Sequence, residues 1–383
     1  MVLFDQKERK NLRYAKNKHN SYQFYDGSAR REFAYVRERM NNWFSRYPLN
    51  HRRQLRSDFK AQFDSAYFEL FIHELFLKQG FRMEPHVNVG SSAKTPDFLG
   101  IKDGIELYIE AKVASDLSVK EVALSDRRNI ILDAINEIPC RDFWLSIYRI
   151  EFKTAENPKI SAIKTYIQQM VGQRREELKG IENYQNNPDL IKEYFYVDDR
   201  FELDFSLYPS AIEPDPFIVS QPGLAFCGGS DESIRKAVRD KANRYGVLDK
   251  PYIVCINATS YKYTTARDAF NAMFGYHWPT EDGIQVVRHS DVTGIFNSEA
   301  PKFTNVSAVF ITRTYPENPQ STEHWLIENP FANKPLDFEK LDLSYFKLVD
   351  DHIVEIKRAG VPEILFGDEL KTEVEIMRSF LVE

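Results

Sequence analysis

The chain reads as an α/β protein: a mixed sheet flanked by helices, with a basic helical cover at the N-terminus and a C-terminal extension. Three observations lead there. Apolar residues recur at helical spacing through residues 28–47, 65–81 and 232–246. Between them lie short β-branched and aromatic runs, among them IELYIEAKVA, DFWLSIYRIEFK, PYIVCINA and NVSAVFITRTY. Finally, 383 residues that are 43% hydrophobic and 14% aromatic supply a large core, usually divided into two or three structural units.

Taken in order, residues 1–20 are polar and basic without a core-forming period, and are expected to fray. Residues 28–47 predict an amphipathic helix with Phe33, Val36, Met40, Trp43 and Phe44 inward, stopped by Pro48. A second helical stretch, HRRQLRSDFKAQF, leads into a third, SAYFELFIHELFLKQGF, whose stripe is Phe68, Phe71, Ile72, Leu75 and Phe76. Gly80 suits the residue just past that helix, with Phe81 packing back on Phe76. Next comes a hairpin: PDFLGI and IELYIEAKVA flank Asp103-Gly104, a strong two-residue turn signal. Beyond it, SDRRNIILDAINEIP predicts a helix, DFWLSIYRIEFK a strand and residues 159–182 a long helix ending near Gly180. EYFYVDDRFELDFSLYP predicts another hairpin, and PFIVSQPGLAF one or two strands. Residues 232–246 predict a helix ending at Gly246, which feeds the buried strand PYIVCINA. NVSAVFITRTY and EHWLIEN are further strands, NPFANKPL is irregular, and DELKTEVEIMRSFL closes the chain as a helix. The division expected is 1–60 for the basic extension, 61–335 for the core and 336–383 for the C-terminal extension.

Composition excludes several classes. Cys140, Cys227 and Cys255 are far apart and form no CxxC, so neither a zinc site nor a disulfide framework is indicated. The start MVLFDQKERK has no apolar leader, and no apolar run approaches about 18 residues, so a cytoplasmic protein without a membrane partner is expected. GxSxG, HExxH, Walker A and GxGxxG are all absent, and the CGGS glycine pair says little about phosphate. The net charge of −6 hides an asymmetry: residues 1–60 hold fifteen Lys and Arg against six Asp and Glu, or +9, leaving −15 for the rest. Such an arm is either a solvated helical face or a phosphate-docking surface that includes Arg52 and Arg53.

The chemistry gathers at the first hairpin. With Asp103-Gly104 as its turn, facing residues sum to 207, so Asp97 opposes Glu110, Phe98 opposes Ile109 and Leu99 opposes Tyr108. Alternation puts Glu110 and Lys112 on one face and Ile109, Ala111 and Val113 on the other. Like charges set opposite one another destabilise a hairpin. A divalent cation is the usual reason to keep them, and Mg²⁺ prefers carboxylate oxygens and substrate phosphates.

These residues, TPDF followed by IEAK, resemble the active-site signature of the PD-(D/E)XK nuclease superfamily, the restriction-endonuclease-like fold. The order helix, strand, loop, PD strand, hairpin, ExK strand also matches. The close likeness covers about fifty residues, 64–114; beyond them it is architectural. It implies a Mg²⁺-dependent nuclease, with Mn²⁺ as a substitute, acting on nucleic acid and on DNA more than RNA. By it, Asp97, Glu110 and the Ala111 carbonyl hold the metal, Lys112 positions the attacking water, and Glu69 supplies the helix acid, with Glu74 the competing choice. Capping does not explain Glu69, which is not at the capping-box position after Ser65. The iron–sulfur exonuclease branch needs four cysteines and is excluded. The likeness also brings in Arg235, Lys236 and Arg239, basic residues off the apolar stripe of 232–246, as nucleic-acid contacts. Arg174 and Arg175 read better as an exposed polar face, and the lone histidines His73 and His86 as structural. A restriction or defence role is the expectation, and a homodimer is compatible with it. The alternative is a catalytically inactive nuclease fold acting as a nucleic-acid-binding or scaffold module. Other acidic pairings, such as Glu355-Ile-Lys357 after Asp350 and Asp351, lack the spacing.

Overall fold

The computed structural model describes residues 1–13, 20–89, 94–114, 119–181, 190–211, 213–214, 216–221, 230–259, 264–275, 277–279, 285–287, 293–297 and 301–382. The glycine pair of CGGS lies outside them. Contacts divide the chain into two compact units, one of Met1–Arg9, Ser21–Asp116 and Phe226–Glu383, the other of Lys10–Asn20 and Leu117–Ala225.

The first unit begins with α1 (Ser21–Gly27), α2 (Arg31–Arg46), α3 (Arg52–Ala61) and α4 (Phe63–Lys78), then β1 (Arg82–Pro85), β2 (Phe98–Lys102) and β3 (Ile105–Val113). The second unit contributes α5 (Val119–Asn136), β4 (Phe143–Phe152), α6 (Ile160–Glu177), β5 (Lys192–Val197), β6 (Phe201–Pro209) and β7 (Ile218–Ser220). The first then resumes with α7 (Ser230–Ala242), β8 (Tyr252–Asn257), α8 (Ala266–Phe274), β9 (His277–Pro279), β10 (Gln285–Val287), β11 (Ala308–Arg313) and β12 (Glu323–Glu328). It ends with β13 (Tyr345–Val349), β14 (His352–Ile356), α9 (Val361–Phe366) and α10 (Leu370–Val382).

In the first unit the strands run β1-β2-β3-β8-β11-β12-β13-β14, and the short β10 and β9 extend that edge. The central trio β3, β8 and β11 is parallel, and β1-β2-β3 is an antiparallel meander. All six residues of β8 are buried, as a strand covered on both faces must be. Ile109, Ile253, Cys255 and Phe310 face one core with α4; Tyr108, Val254, Ile256 and Val309 face the other with α7 and α8. The expected mixed α/β sheet is therefore present.

Three expectations change. The helix α4 is buried nearly all round, with Tyr67, Leu70, His73 and Glu74 inside as well as the expected stripe. The N-terminal helices cause this, because α2 and α3 pack on the side of α4 that does not face β3. Nor does the first segment fray: Leu3 and Phe4 are buried, and their amides both donate to Asn41 Oδ1 at 2.9 and 3.0 Å. Residues 14–19 lie outside the described set. Likewise the ends of the chain are not appendages. Leu3, Phe4 and Val36 share one core with Leu341, Leu343, Val361 and Leu365, and β13–β14 is a hairpin within the sheet. A separate unit arises instead from residues 117–225, which the expected division had left inside the core.

That second unit is a four-stranded sheet of order β5-β6-β4-β7. One face carries α5 and α6 over a core that includes Ile135, Leu145, Ile167 and Phe205. The expected β5–β6 hairpin forms, from Lys192 opposite Leu207 to Val197 opposite Glu202. Arg174 is buried and pairs with Glu177 at 2.8 Å, while Arg175 grips Asp142 with two bonds of 2.6 and 2.8 Å. Among the described residues, no helix is long and apolar enough to cross a membrane.

Candidate active site

The site rests on the β2–β3 hairpin. Asp103 and Gly104 both take positive φ, 47° and 82°, as a two-residue type I′ turn demands. The register follows as predicted: Phe98 opposes Ile109, Leu99 opposes Tyr108 and Lys102 opposes Ile105. Asp97 immediately precedes the paired residues, and its Oδ2 accepts the Ala111 amide at 2.7 Å, which sets it beside Glu110. On the other side of Asp97, the His86 amide donates to its carbonyl at 3.1 Å.

Behind the hairpin, α4 ends in a Schellman arrangement. Gly80 has φ 87°, the Phe81 amide reaches the Phe76 carbonyl at 3.1 Å, and the two rings meet edge-on at 5.4 Å. This end fixes how α4 lies on β3 and so where Glu69 stands. Glu69 is half-buried, and its Oε1 accepts the Tyr47 hydroxyl at 2.6 Å. Glu74 is fully buried and taken by Arg46 through bonds of 3.0 and 2.6 Å. Of the two helix acids, Glu69 is thus the one whose charge reaches the hairpin.

The electrostatics tie the three acids together. Burial pushes the Asp97 carboxyl up to about 8, reinforced by the charges of Glu110 and then Glu69; the Ala111 amide and Lys241 oppose the rise. Glu69 is pushed up to about 7 by burial, against the Tyr47 hydrogen bond, with Asp58 and Glu110 adding to the rise. A surplus of negative charge in a desolvated spot is the electrostatic signature of a cation site.

Glu110 is the most enclosed of the three, at 1% exposure. Its Oε1 accepts Lys241 Nζ and its Oε2 accepts the Tyr245 hydroxyl; Arg244 stands 3.8 Å away. Tyr245 OH also lies 3.0 Å from the carbonyl of Thr95, so it ties the segment just after α7 to TPDF. Lys112, exposed on the same face as Glu110 by alternation, has no hydrogen-bond or ion-pair partner among the described residues.

A hard divalent cation fits this donor set by chemistry, since Asp97, Glu110 and Glu69 offer carboxylate oxygens whose charges are incompletely offset. Their side chains are not drawn around a common point: among the described residues, no group of three or more His, Cys, Asp or Glu is placed to hold a metal ion. The hairpin therefore brings Asp97 and Glu110 together beside Lys112, and leaves Glu69 coupled to them through charge alone.

The predicted nucleic-acid contacts divide. Lys236, Arg239 and Arg53 are exposed. Arg235 is occupied by Asp231 at 2.8 Å and the Asn271 carbonyl at 3.2 Å, and Arg52 by the carbonyls of Tyr47 and Ser45. Much of the basic arm is structural as well: Arg37 donates to the carbonyls of Tyr25 and Ser28, and Arg39 to that of Pro316. Of the two histidines set aside, His73 is buried against the rings of Tyr47 and Phe98, and burial lowers it to about 4.

Sequence reasoning missed Lys241, Tyr245 and Tyr47. Lys241 sits in the last turn of α7 and Tyr245 three residues past its end, and nothing local says that either meets Glu110. No family model matches the chain, and neither does any curated protein or solved structure.

Proposed function

We propose that this chain is a Mg²⁺-dependent nuclease of the restriction-endonuclease-like type, hydrolysing phosphodiester bonds in DNA in preference to RNA, with a part in restriction or defence. One observation carries the reading. Asp97 and Glu110 meet at the open end of the hairpin, beside Lys112, and the Asp97 carboxyl is raised first by burial and then by the charge of Glu110. A purely structural hairpin gains nothing from that arrangement.

Asp97, Glu110, the Ala111 carbonyl and Glu69 are the groups that would hold the ion. Bound there, Mg²⁺ would supply Lewis-acid stabilisation of the phosphoryl oxygens and a more acidic water. Asp97 is oriented for this by the Ala111 amide, and Glu69 by Tyr47. Lys112, whose ammonium has no partner among the described residues, would orient the attacking water or counter charge on the phosphate. Lys236, Arg239 and Arg53 are the exposed cations left to meet the backbone of the nucleic acid.

The experiment is incubation of plasmid, linear and branched DNA, and RNA, with and without Mg²⁺. Wild-type protein cuts only with the ion, and Asp97→Ala, Glu110→Ala and Lys112→Ala each abolish cutting while keeping the wild-type circular dichroism. Undiminished cutting by all three removes the assignment.

A second reading, the inactive fold used as a binding or scaffold module, is favoured by the occupied state of Glu110, both of whose oxygens already have protein partners. Titration with Mn²⁺ separates the two, since an inactive remnant shows no saturable binding.

A further inference from the structure

The helix α7 does more than cover the sheet. Its Lys241 ammonium, itself only 12% exposed, reaches Glu110 Oε1, and Tyr245 takes Oε2. With Arg244 at 3.8 Å as the next nearest cation, a carboxylate that is 1% exposed has no oxygen open to a ligand from solvent. Asp97, a neighbour on the same hairpin, has only the Ala111 amide as a hydrogen-bond donor among the described residues. The two acids are thus treated differently: Glu110 is capped by a protein cation and Asp97 is left open.

We infer that Lys241 is the resident counter-cation of this site, occupying the Glu110 oxygen that a divalent ion would take, so that metal loading and release of the α7 clamp are one competitive event. The inference rests on the metal-dependent reading above. Its physical basis is exclusion: an ammonium and a divalent ion cannot share one buried oxygen, and each favours the carboxylate in its charged form. Two consequences follow. Metal affinity is set partly by a residue that never touches the ion, and the ion binds more weakly than an open carboxylate pair would bind it. Lys241 is therefore a positioning and selectivity residue, and Lys112 remains the amine beside the reacting atoms.

The test is direct binding of Mn²⁺, followed by electron paramagnetic resonance of the free ion, to the full chain and its variants. Lys241→Met should bind Mn²⁺ roughly tenfold or more tightly than wild type, because one unit of competing charge is gone. Lys241→Gln, which keeps a hydrogen-bond donor for Glu110, should tighten binding in the same direction and serves if the methionine variant does not fold. Lys241→Arg retains the charge and should not tighten it. Asp97→Asn should abolish the tight binding in either background. Binding that is unchanged or weaker in both Lys241→Met and Lys241→Gln, with Asp97-dependent binding intact in wild type, overturns the competition and leaves the metal site standing. Absence of saturable Mn²⁺ binding in wild type and both variants overturns the metal site itself.

Discussion

Replacing Asp97 by asparagine should stabilise the metal-free protein above neutral pH and do much less in acid. The folded chain holds the Asp97 proton up to about 8, chiefly through burial and then through Glu110 and Glu69, whereas an unfolded aspartate releases it near pH ~3.9. Between those values the native state binds more protons than the unfolded state, so stability falls as pH rises. The contribution is whole below about pH 4 and lost above about pH 8. One pKa unit is worth about 1.4 kcal/mol, which sets a ceiling of roughly 5–6 kcal/mol for the full displacement. Asp97 is partly open to water and shares its repulsion with two other acids, so a realised effect of about 2 kcal/mol is expected. For a unit of this size that corresponds to roughly 4–8 °C in Tm. Asparagine keeps an oxygen for the Ala111 amide, so the substitution removes the charge without orphaning that donor. The assay is thermal unfolding by circular dichroism at pH 4.5 and 8.5, in chelator, for wild type and Asp97→Asn. A gain no larger at pH 8.5 than at pH 4.5 would refute the claim that the carboxyl is electrostatically strained.

Other outcomes follow from single contacts. Arg46→Ala leaves Glu74 charged and fully buried without its partner, and should cost about 3–5 kcal/mol in urea unfolding, with much of it recovered in the Arg46→Met, Glu74→Met double variant. Gly104→Val forces a branched side chain to φ 82° at the hairpin turn; a loss of about 1–2 kcal/mol and weaker Mn²⁺ binding are expected, measured by urea midpoint and by resonance. Thr265→Ala removes the capping box of α8, where the Thr265 side chain accepts the Asp268 amide and Asp268 takes the Thr265 amide, and should lower stability by about 1 kcal/mol without altering Mn²⁺ affinity.

What the residues determine alone is local and short in range. The positive-φ pair Asp103-Gly104 fixed the hairpin register by itself, because few turns join two strands in two residues, and the register put Phe98 opposite Ile109, with Asp97 just beyond. The helix end marked by Gly80 and the buried strand β8 were legible for the same reason, because backbone sterics and alternation act within a few positions; the helix expected to run to Gly246 stops at Ala242 instead. The hairpin β13–β14 escaped notice although Asp350 and Asp351 make its turn with φ of 47° and 63°, since aspartate at positive φ is a weaker signal than glycine. Only the tertiary structure decided which charges meet. Lys241 and Glu110 are 131 residues apart, Arg46 selects Glu74 and frees Glu69, and the basic N-terminal arm turns out to spend Arg37, Arg39 and Arg52 on backbone carbonyls. Coulomb attraction and desolvation depend on distance in space and on exclusion of water, and neither quantity is carried by the order of residues along the chain.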